Sequence, residues 1–325
     1  MLLLLACAHT VPAAAPGVPD ELRQTVQDVA DAPTNLGRRK AAIRRAEDMG
    51  LATDTEWIDW FSTQKNVVID LPGVDPNGDI VYLVAHYDKV DTNLLSVISR
   101  LVNGLLDPLI AWTFMTDGAV DNATGVAVVL QLAAELAEQQ HQTSFRVLLA
   151  GHEEAGLRGT RAHVARLSPE EKARIKLAVN IDTLGIQGVG NCVYTDHSDP
   201  DWVDRVMDAA REEGLAWDTA SMPGGATSDH VVFMRNSARI DFGRGCMFAG
   251  PGGLLPQRSW FTTPSSSPVL FVSACEVLDT GDLVAACCAV PTGSLHGPRD
   301  RADKVDPNGL YEAYRVLLRV LSEVP

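Results

Sequence analysis

Hydrophobic positions along this chain of 325 residues follow two spacings, one typical of strands and one typical of helices. Apolar runs rich in β-branched residues predict strands in "NVVIDLPG", "GDIVYLVAH" and "IKLAVNID", over residues 144–151, near 191–195 and in "PVLFVSA". The turn signal "PGVDPNGD" joins the first two runs and predicts that they form a hairpin or neighbouring strands.

Apolar residues at intervals of three and four predict the helices. They occur among charges over residues 21–49, again from Asn122 and near 158–167, and in "DPDWVDRVMDAAREEG" and "NGLYEAYRVLLRVLSEV". Strands that alternate with helices predict an α/β fold, with a mixed, mostly parallel twisted β-sheet covered by helices on both faces. No Ser/Gly/Pro-rich linker divides the middle of the chain, so we expect a single domain over residues 21–325.

Residues 1–20 are predicted to form a separate tail. Leu4-Leu5-Ala6-Cys7 resembles the bacterial lipobox, whose cysteine becomes the lipidated first residue of a mature envelope protein. This pattern predicts a secreted or cell-envelope protein with a lipid anchor at Cys7. The alternative is a disordered Ala/Pro tail.

The composition excludes some classes of partner and one kind of metal site. With 46% hydrophobic and 21% charged residues the chain can bury a large core. Its 27 basic and 42 acidic residues give a net charge of −15, which argues against nucleic acid or an anionic membrane as the main partner. The six cysteines show no Cys-x-x-Cys spacing, so no thiolate zinc site is predicted.

Polar residues that can bind metal ions gather where predicted strands end. They are His86 and Asp88 after the second strand, Glu153 and Glu154 after the strand 144–151, Asp182 after the strand 175–181, and Asp121 before a helix. Each alone has a structural explanation, as a cap, a turn former or a core histidine. Because ligands bind at the carboxyl ends of strands in such folds, the joint pattern predicts a metal site of imidazole and carboxylate groups.

The adjacent glutamates need a separate explanation, because neighbouring carboxylates repel each other unless a cation lies near them. His152 precedes them, but the zinc-helix motif His-Glu-x-x-His fails here because Gly156 occupies the second histidine position. The cation must therefore be held by residues elsewhere in the chain.

The sequence resembles the zinc-dependent aminopeptidases of the bacterial leucyl aminopeptidase and aminopeptidase Y type, a family related to glutamate carboxypeptidases and glutaminyl cyclases. The resemblance runs in order through "NVVIDLPG", "AHYDKV", "GAVDNATGVAVVLQLA", "GHEEAGLRGT", "NIDTLG", "TSDHVVF" and "LHGPRDRADKVDP", about residues 65 to 310. It implies a zinc exopeptidase fold and hydrolysis of peptide or aminoacyl substrates that have a free N-terminus.

The resemblance also implies two zinc ions, for which Mn²⁺ or Co²⁺ could substitute. Asp121 would bridge the two ions. His86 and Asp182 would complete one site, and Glu154 and His296 the other.

Two further roles follow from the same resemblance. Glu153 would be the general acid/base, and Asp88 the carboxylate that orients His86. The family also has a cis peptide after its bridging aspartate, which corresponds to Asp121-Asn122 here.

The sequence departs from the family pattern near His296. The family's His-Thr-Pro-x-Asp-Thr reads His-Gly-Pro-Arg-Asp-Arg over residues 296–301, and Leu295 stands where a tyrosine would steady the oxyanion. His230 is the rival ligand, although the family uses its block to support the site. Two segments, near 89–118 and 234–267, look like insertions.

The first of these insertions carries an amphipathic helical stripe that is interrupted near Asp107-Pro108. The stripe consists of Leu94, Val97, Ile98, Leu101, Val102, Leu105 and Leu109. It could pack on the body of the protein, form an apolar wall or lid that selects hydrophobic N-terminal side chains, or face a membrane.

Three other functions remain open from the sequence. One is a glutaminyl cyclase with a single zinc ion, although the "DNATG" block favours hydrolysis. Another is a carboxypeptidase or dipeptidase of the same fold. The last is a binding ectodomain without catalysis, whose signature would be missing ligands.

Overall fold

The computed structural model describes residues 17–60, 62–90, 116–221, 227–234, 269–274 and 299–324. Several predictions fall outside these ranges and stay predictions. They concern Cys7, His296, Leu295, and most of the two insertions, including the amphipathic stripe.

In the described part of the chain, eight strands form one sheet in the order β1-β2-β4-β3-β5-β8-β6-β7. The strands are β1 (Asp54–Trp57), β2 (Lys65–Leu71), β3 (Ile80–His86), β4 (Ser144–Ala150), β5 (Ile175–Ile181), β6 (Asn191–Tyr194), β7 (Asp218–Ala220) and β8 (Val269–Ala274). β4, β3, β5 and β8 are parallel to one another, whereas β2 and β6 run antiparallel to β4 and β8. The predicted mixed, mostly parallel sheet is therefore confirmed.

The prediction that "NVVIDLPG" and "GDIVYLVAH" form neighbouring strands is wrong. These segments are β2 and β3, and β4 lies between them. Every residue of β3 is buried, as expected for a central strand that pairs with parallel strands on both sides. The connection from β3 to β4 passes through a helix, which brings β4 back parallel beside β3 and leaves β2 on the outer edge of β4.

Seven α-helices are present among the described residues. They are α1 (Val18–Ala30), α2 (Asn35–Asp48), α3 (Thr124–Ala137), α4 (Arg158–Arg166), α5 (Pro169–Arg174), α6 (Pro200–Glu212) and α7 (Pro307–Ser322). A large core packs α1, α3, α6 and α7 on one face of the sheet, against Val81, Leu83 and Ala85 of β3. A smaller core packs α4 and residues 231–233 on the other face, against Tyr82 and Val84. Helices on both faces are thus confirmed.

The segment Ala119–Ala137, which includes α3, is long and apolar enough to cross a membrane by composition alone. It is a core helix instead, since 83% of its apolar window is buried inside the protein. Burial of α3 fixes the position of the turn that precedes this helix, and that turn carries Asp121.

Candidate metal centre

Three side chains converge at the carboxyl edge of the central strands. His86 is the last residue of β3, Asp182 directly follows β5, and Asp121 lies in the turn before α3. Nε2 of His86 is 3.1 Å from Oδ1 of Asp121 and 3.4 Å from Oδ1 of Asp182. All three residues are buried, and one potential ligand atom of each lies within 4.8 Å of the others.

The chemistry of this group fits a divalent metal ion. Two carboxylates buried beside one imidazole nitrogen require a compensating positive charge, because burying an unpaired charge is costly. Burial lowers the pKa of His86, but the charges of Glu153 and Asp182 and the hydrogen bonds with Asp121 and Asp182 together outweigh burial, so that the pKa lies well above the ordinary value. One imidazole nitrogen with carboxylate oxygens is also a donor set used by zinc, manganese and cobalt sites.

The other nitrogen of His86 faces the backbone. Nδ1 lies 3.2 Å from the carbonyl oxygen of Asp88 and 3.7 Å from its Oδ1. An Nδ1–H that donates to this carbonyl leaves the Nε2 lone pair directed at the two carboxylates. The Asp88 carbonyl is therefore closer to the His86 ring than the Asp88 carboxylate, to which the resemblance assigns the orientation of His86.

Asn122 ties the turn that bears Asp121 to the end of β5. Its Nδ2 donates to the carbonyl of Ile181 at 2.9 Å, and its Oδ1 accepts from the amides of Gly125 and Thr183 at 2.9 and 3.2 Å. The Asp121-Asn122 peptide is cis, as the resemblance implied. Asn122 thus connects the segments that carry Asp121 and Asp182.

Asp300 holds the same turn from another direction. Its Oδ1 accepts hydrogen bonds from the backbone amides of Val120 and Asp121, at 2.7 and 3.1 Å, and its Oδ2 accepts one from the hydroxyl of Thr116. Asp300 is fully buried. The carboxylate therefore fixes the backbone at the residue predicted to bridge two metal ions.

Asp182 is positioned by neighbouring hydroxyls. The Ser228 hydroxyl donates to its Oδ2 at 2.6 Å, and the Thr183 hydroxyl donates to its Oδ1 at 2.9 Å. Thr183 has a φ of 64°, a conformation that costs a β-branched residue about 1–2 kcal/mol. This unfavourable backbone lies directly beside the site.

The loop with the two glutamates follows β4 and is fixed by side chains at and just before the start of β2. Asn66 accepts from the amide of Gly151 at 3.2 Å, and Gln64 accepts from the amide of His152 at 3.0 Å. His152 has a φ of 55°, so a second unfavourable backbone conformation precedes Glu153. The amide of Glu153 donates to Oδ1 of Asp88 at 3.1 Å.

Glu153 and Glu154 are partly buried in this loop. Burial raises the pKa of Glu153 well above its ordinary value, and the charge of Glu154 raises it further, while His86 opposes the shift. Glu154 is not a member of the converging group of three. His296, which the resemblance pairs with Glu154, lies outside the described residues.

The rival ligand His230 is fully buried and has another contact. Its Nε2 lies 2.8 Å from Nδ1 of His197, and within the described ranges it does not belong to the converging group. Burial lowers the pKa of His230 well below its usual value, with His197 adding to the effect. Its neighbour Asp229 is also buried, and burial raises the pKa of that carboxyl to about 7.

The sequence interpretation missed the residues that hold the site together. Asn122 and Asp300 lie inside the blocks "DNATG" and "GPRDR", so the resemblance contained a signal for them, but no role was assigned. Asn66 opens the block "NVVIDLPG", but the resemblance implies no role for it, and Gln64 lies outside the blocks, where a single amide near a strand start carries no signal.

Comparison with known proteins identifies relatives that are named as aminopeptidases. The chain is 28% identical over 228 residues to "Aminopeptidase YwaD" of Bacillus subtilis, which covers 69% of this chain and 44% of that protein. An "Aminopeptidase" of Pseudomonas aeruginosa is 33% identical over 129 residues, or 40% of this chain and 20% of that protein. The chain therefore spans less than half the length of these curated relatives.

Solved structures share the fold. A zinc aminopeptidase from Bacillus subtilis has a TM-score of 0.56 at 21% identity, over 81% of this chain and 51% of that chain. Legionella pneumophila LapA has a TM-score of 0.65 at 16% identity, over 94% and 72% of the two chains. Bacteroides thetaiotaomicron glutaminyl cyclase has a TM-score of 0.62 at 16% identity, over 97% and 99%.

The profile of Peptidase family M28 matches residues 66–321, which contain every predicted site residue. The match spans most of the chain and agrees with the site geometry and the shared fold. The chain belongs to Peptidase family M28.

Proposed function

We propose that this protein is a zinc-dependent aminopeptidase that hydrolyses the N-terminal peptide bond of unblocked peptides. The observation that carries the proposal is the convergence of His86, Asp121 and Asp182 at the carboxyl edge of the sheet, in a chain of Peptidase family M28. The names of its relatives support the same activity.

The proposed centre contains two zinc ions. Asp121 would be the ligand shared by the two ions, His86 and Asp182 would hold one of them, and Glu154 and His296 would hold the other. When bound, the ions would polarise the scissile carbonyl, lower the pKa of a water molecule and hold the substrate amine.

Glu153 has the proton-transfer role in this proposal. Its carboxyl is on the loop beside His86, and its raised pKa suits a group that takes a proton from water and gives it to the leaving amine. The hydrogen bond from its amide to Asp88 fixes the start of its side chain. Glu153 and Glu154 lie in a turn after β4, in which the carbonyl of Glu153 accepts hydrogen bonds from the amides of Gly156 and Leu157.

Cyclisation of N-terminal glutamine is the second candidate. It is supported by the fold shared with the glutaminyl cyclase over almost the whole of both chains. Fold alone does not determine function, and the retained "DNATG" block favours hydrolysis.

Metal analysis of the purified protein, combined with assays of leucyl and alanyl anilides before and after chelation, tests the proposal. We expect bound zinc, chelator-sensitive hydrolysis, and no hydrolysis of the N-acetylated anilide. A glutaminyl peptide should be hydrolysed rather than cyclised. Absence of both bound metal and chelator-sensitive hydrolysis would exclude the proposed enzyme, and cyclisation without hydrolysis would select the second candidate.

We also propose that the protein acts in the cell envelope or outside the cell. The support is Leu4-Leu5-Ala6-Cys7 together with Cys192, which is disulfide-bonded, since such bonds persist in oxidising compartments. Labelling with a radioactive fatty acid in the native host should mark the protein but not its Cys7→Ser variant. An unlabelled wild-type protein would exclude the lipid anchor.

A further inference from the structure

Helix α2 lies outside the segment that matches Peptidase family M28, yet one of its residues contacts two parts of the candidate metal centre. Arg38 is fully buried. Its Nε donates to the carbonyl of Tyr87 at 2.5 Å, Nη1 to the carbonyl of Asp117 at 2.7 Å, and Nη2 to the carbonyl of Gly118 at 2.7 Å. Tyr87 directly follows His86, and residues 117–118 precede Asp121 by three to four positions.

The guanidinium is suited to this position by its shape. It presents five N–H donors in a planar fork, so a single side chain can bind carbonyls from separate segments at once. A lysine has one flexible ammonium group and cannot reproduce this fork. Arg38 also reaches the carbonyl of Val29 on α1 at 3.4 Å, which links the contact to the helical layer.

The charge of Arg38 is compensated by carboxylates of the site. Burial lowers the pKa of the guanidinium, and four carboxylates oppose that effect, with Asp300 first, followed by Asp88, Asp121 and Glu154. A buried cation is tolerated when opposite charges and hydrogen-bond acceptors surround it. Arg38 therefore places one positive charge close to four carboxylates at the site.

A second residue of α2 holds one of the same segments. Asn35 lies one turn before Arg38, on the same side of the helix. Its Nδ2 donates to the carbonyl of Lys89 at 3.1 Å, and its Oδ1 accepts from the amide of Lys89 at 3.0 Å. Together, Asn35 and Arg38 bind the backbone of residues 87 and 89, on both sides of Asp88.

The backbone of Gly118 packs closely against the side chains of Arg38 and Lys89. It has a φ of 65°, and a Cβ there would lie 3.0 Å from Nη1 of Arg38 and 2.7 Å from Cβ of Lys89. No larger residue could keep this approach between backbone and guanidinium. Asp121 lies three residues after Gly118, and its backbone amide donates a hydrogen bond to Asp300. The turn is therefore held both by Arg38 and by Asp300.

We propose that Arg38 is a positioning residue of the metal centre, because its guanidinium fixes the backbone that carries His86 relative to the backbone that carries Asp121. This inference rests on the proposed metal site but not on the identity of the substrate. Removal of the fork should let the two segments separate and should weaken metal binding, while the sheet remains formed.

The test compares zinc affinities, measured by competition with a chromophoric chelator. The variants are Arg38→Met, which removes charge and fork, and Arg38→Lys, which keeps the charge and loses the fork. The matched control is Arg45→Met, because Arg45 also lies on α2 but binds Thr25 and Glu21 of α1, away from the site. Circular dichroism and thermal unfolding report whether each variant is folded.

We expect both Arg38 variants to bind zinc about 10- to 100-fold more weakly than the wild type, as is usual for residues that support metal ligands. Their amides over residues 117–121 should exchange with solvent faster, which a loss of helix packing alone would not produce. Arg45→Met should retain wild-type zinc affinity and exchange.

The remaining outcomes are distinguishable. Folded Arg38 variants with wild-type zinc affinity would overturn this inference and leave the proposed function intact. Failure of both variants to fold would assign Arg38 to the folding core and would also overturn it. A wild-type protein that binds no zinc would overturn the proposed function itself.

Discussion

The backbone amide of Glu153 donates a hydrogen bond of 3.1 Å to the carboxylate of Asp88. This bond joins the loop after β4 to the segment after β3, and so connects the proposed proton acceptor to the residue that follows His86 by two positions. The resemblance assigns Asp88 to the orientation of His86, but the nearer group to that ring is the Asp88 carbonyl.

Asp88→Ala should therefore reduce turnover more than metal binding. Loss of the acceptor frees the Glu153 backbone, and we expect kcat to fall about 10- to 100-fold while zinc affinity changes by less than about tenfold. Asp88→Asn keeps an acceptor oxygen and should lose less activity. Assays at saturating zinc with parallel zinc titrations measure both effects, and a larger loss of affinity than of turnover would instead support the role in orienting His86.

Glu153→Gln should retain metal and lose nearly all turnover. Glu153 is not one of the proposed ligands, so the amide leaves coordination intact but removes the proton acceptor, at a cost of about 10²- to 10⁴-fold in kcat. Asp121→Ala is the contrasting variant and should lose metal, as measured by metal analysis after gel filtration. Full activity of Glu153→Gln would show that another group moves the proton.

Gly125→Ala should destabilise the protein. A Cβ at Gly125 would lie 2.3 Å from the carbonyl oxygen of Ile181 and 2.4 Å from Oδ1 of Asn122. The first is a backbone atom of β5, and the second belongs to the side chain that ties the Asp121 turn to that strand. Overpacking of this kind costs about 1–3 kcal/mol in the free energy of unfolding, which urea denaturation measures. Gly190→Ala is the control, because its Cβ would meet nothing within 4 Å and should change stability by less than about 0.5 kcal/mol. Equal stability of the two variants would contradict the predicted clash.

Glu56 should contribute a pH-dependent part of the stability. Burial raises the pKa of its carboxyl, but the hydrogen bond and charge of His163, with smaller contributions from Arg166 and Asn66, together outweigh burial, so the folded-state pKa lies below the ordinary value. Its stabilisation is therefore present above the unfolded-state pKa of about 4.3 and is lost as pH falls through the folded-state pKa. Urea denaturation at several pH values between about 6 and 3 should show the wild type losing more stability than Glu56→Gln. Parallel curves for the two proteins would contradict this assignment.

Much of the fold was predictable because local patterns dictate it. The apolar runs of β3, β4 and β5 and the periodic stripe of α7 correspond to the observed elements. Strand order was not predictable from the turn between β2 and β3, because the return of β4 through α3 decides which strands become neighbours.

The convergence of three predicted side chains could be foreseen from the sequence, whereas the residues that hold them in place could not. His86, Asp121 and Asp182 end or precede predicted elements, so the topology alone brings them to one edge. Arg38 lies among the charged residues of the helical segment 21–49, yet its side chain is fully buried. Its hydrogen bonds are to backbone carbonyls. Every residue has such a carbonyl, so the sequence does not indicate which of them Arg38 binds.

The insertion of β4 between β2 and β3 has a consequence for cleavage of the chain. A cut in residues 138–142, between α3 and β4, would separate β2 and β3 from the strand that joins them, since β4 pairs with both. The amino-terminal piece would then hold His86 and Asp121 without a continuous sheet beneath them, and the other piece would hold Glu153 and Asp182. Neither piece can assemble the site alone, so recovery of zinc binding on mixing would report docking of β4 into the gap between its two partners.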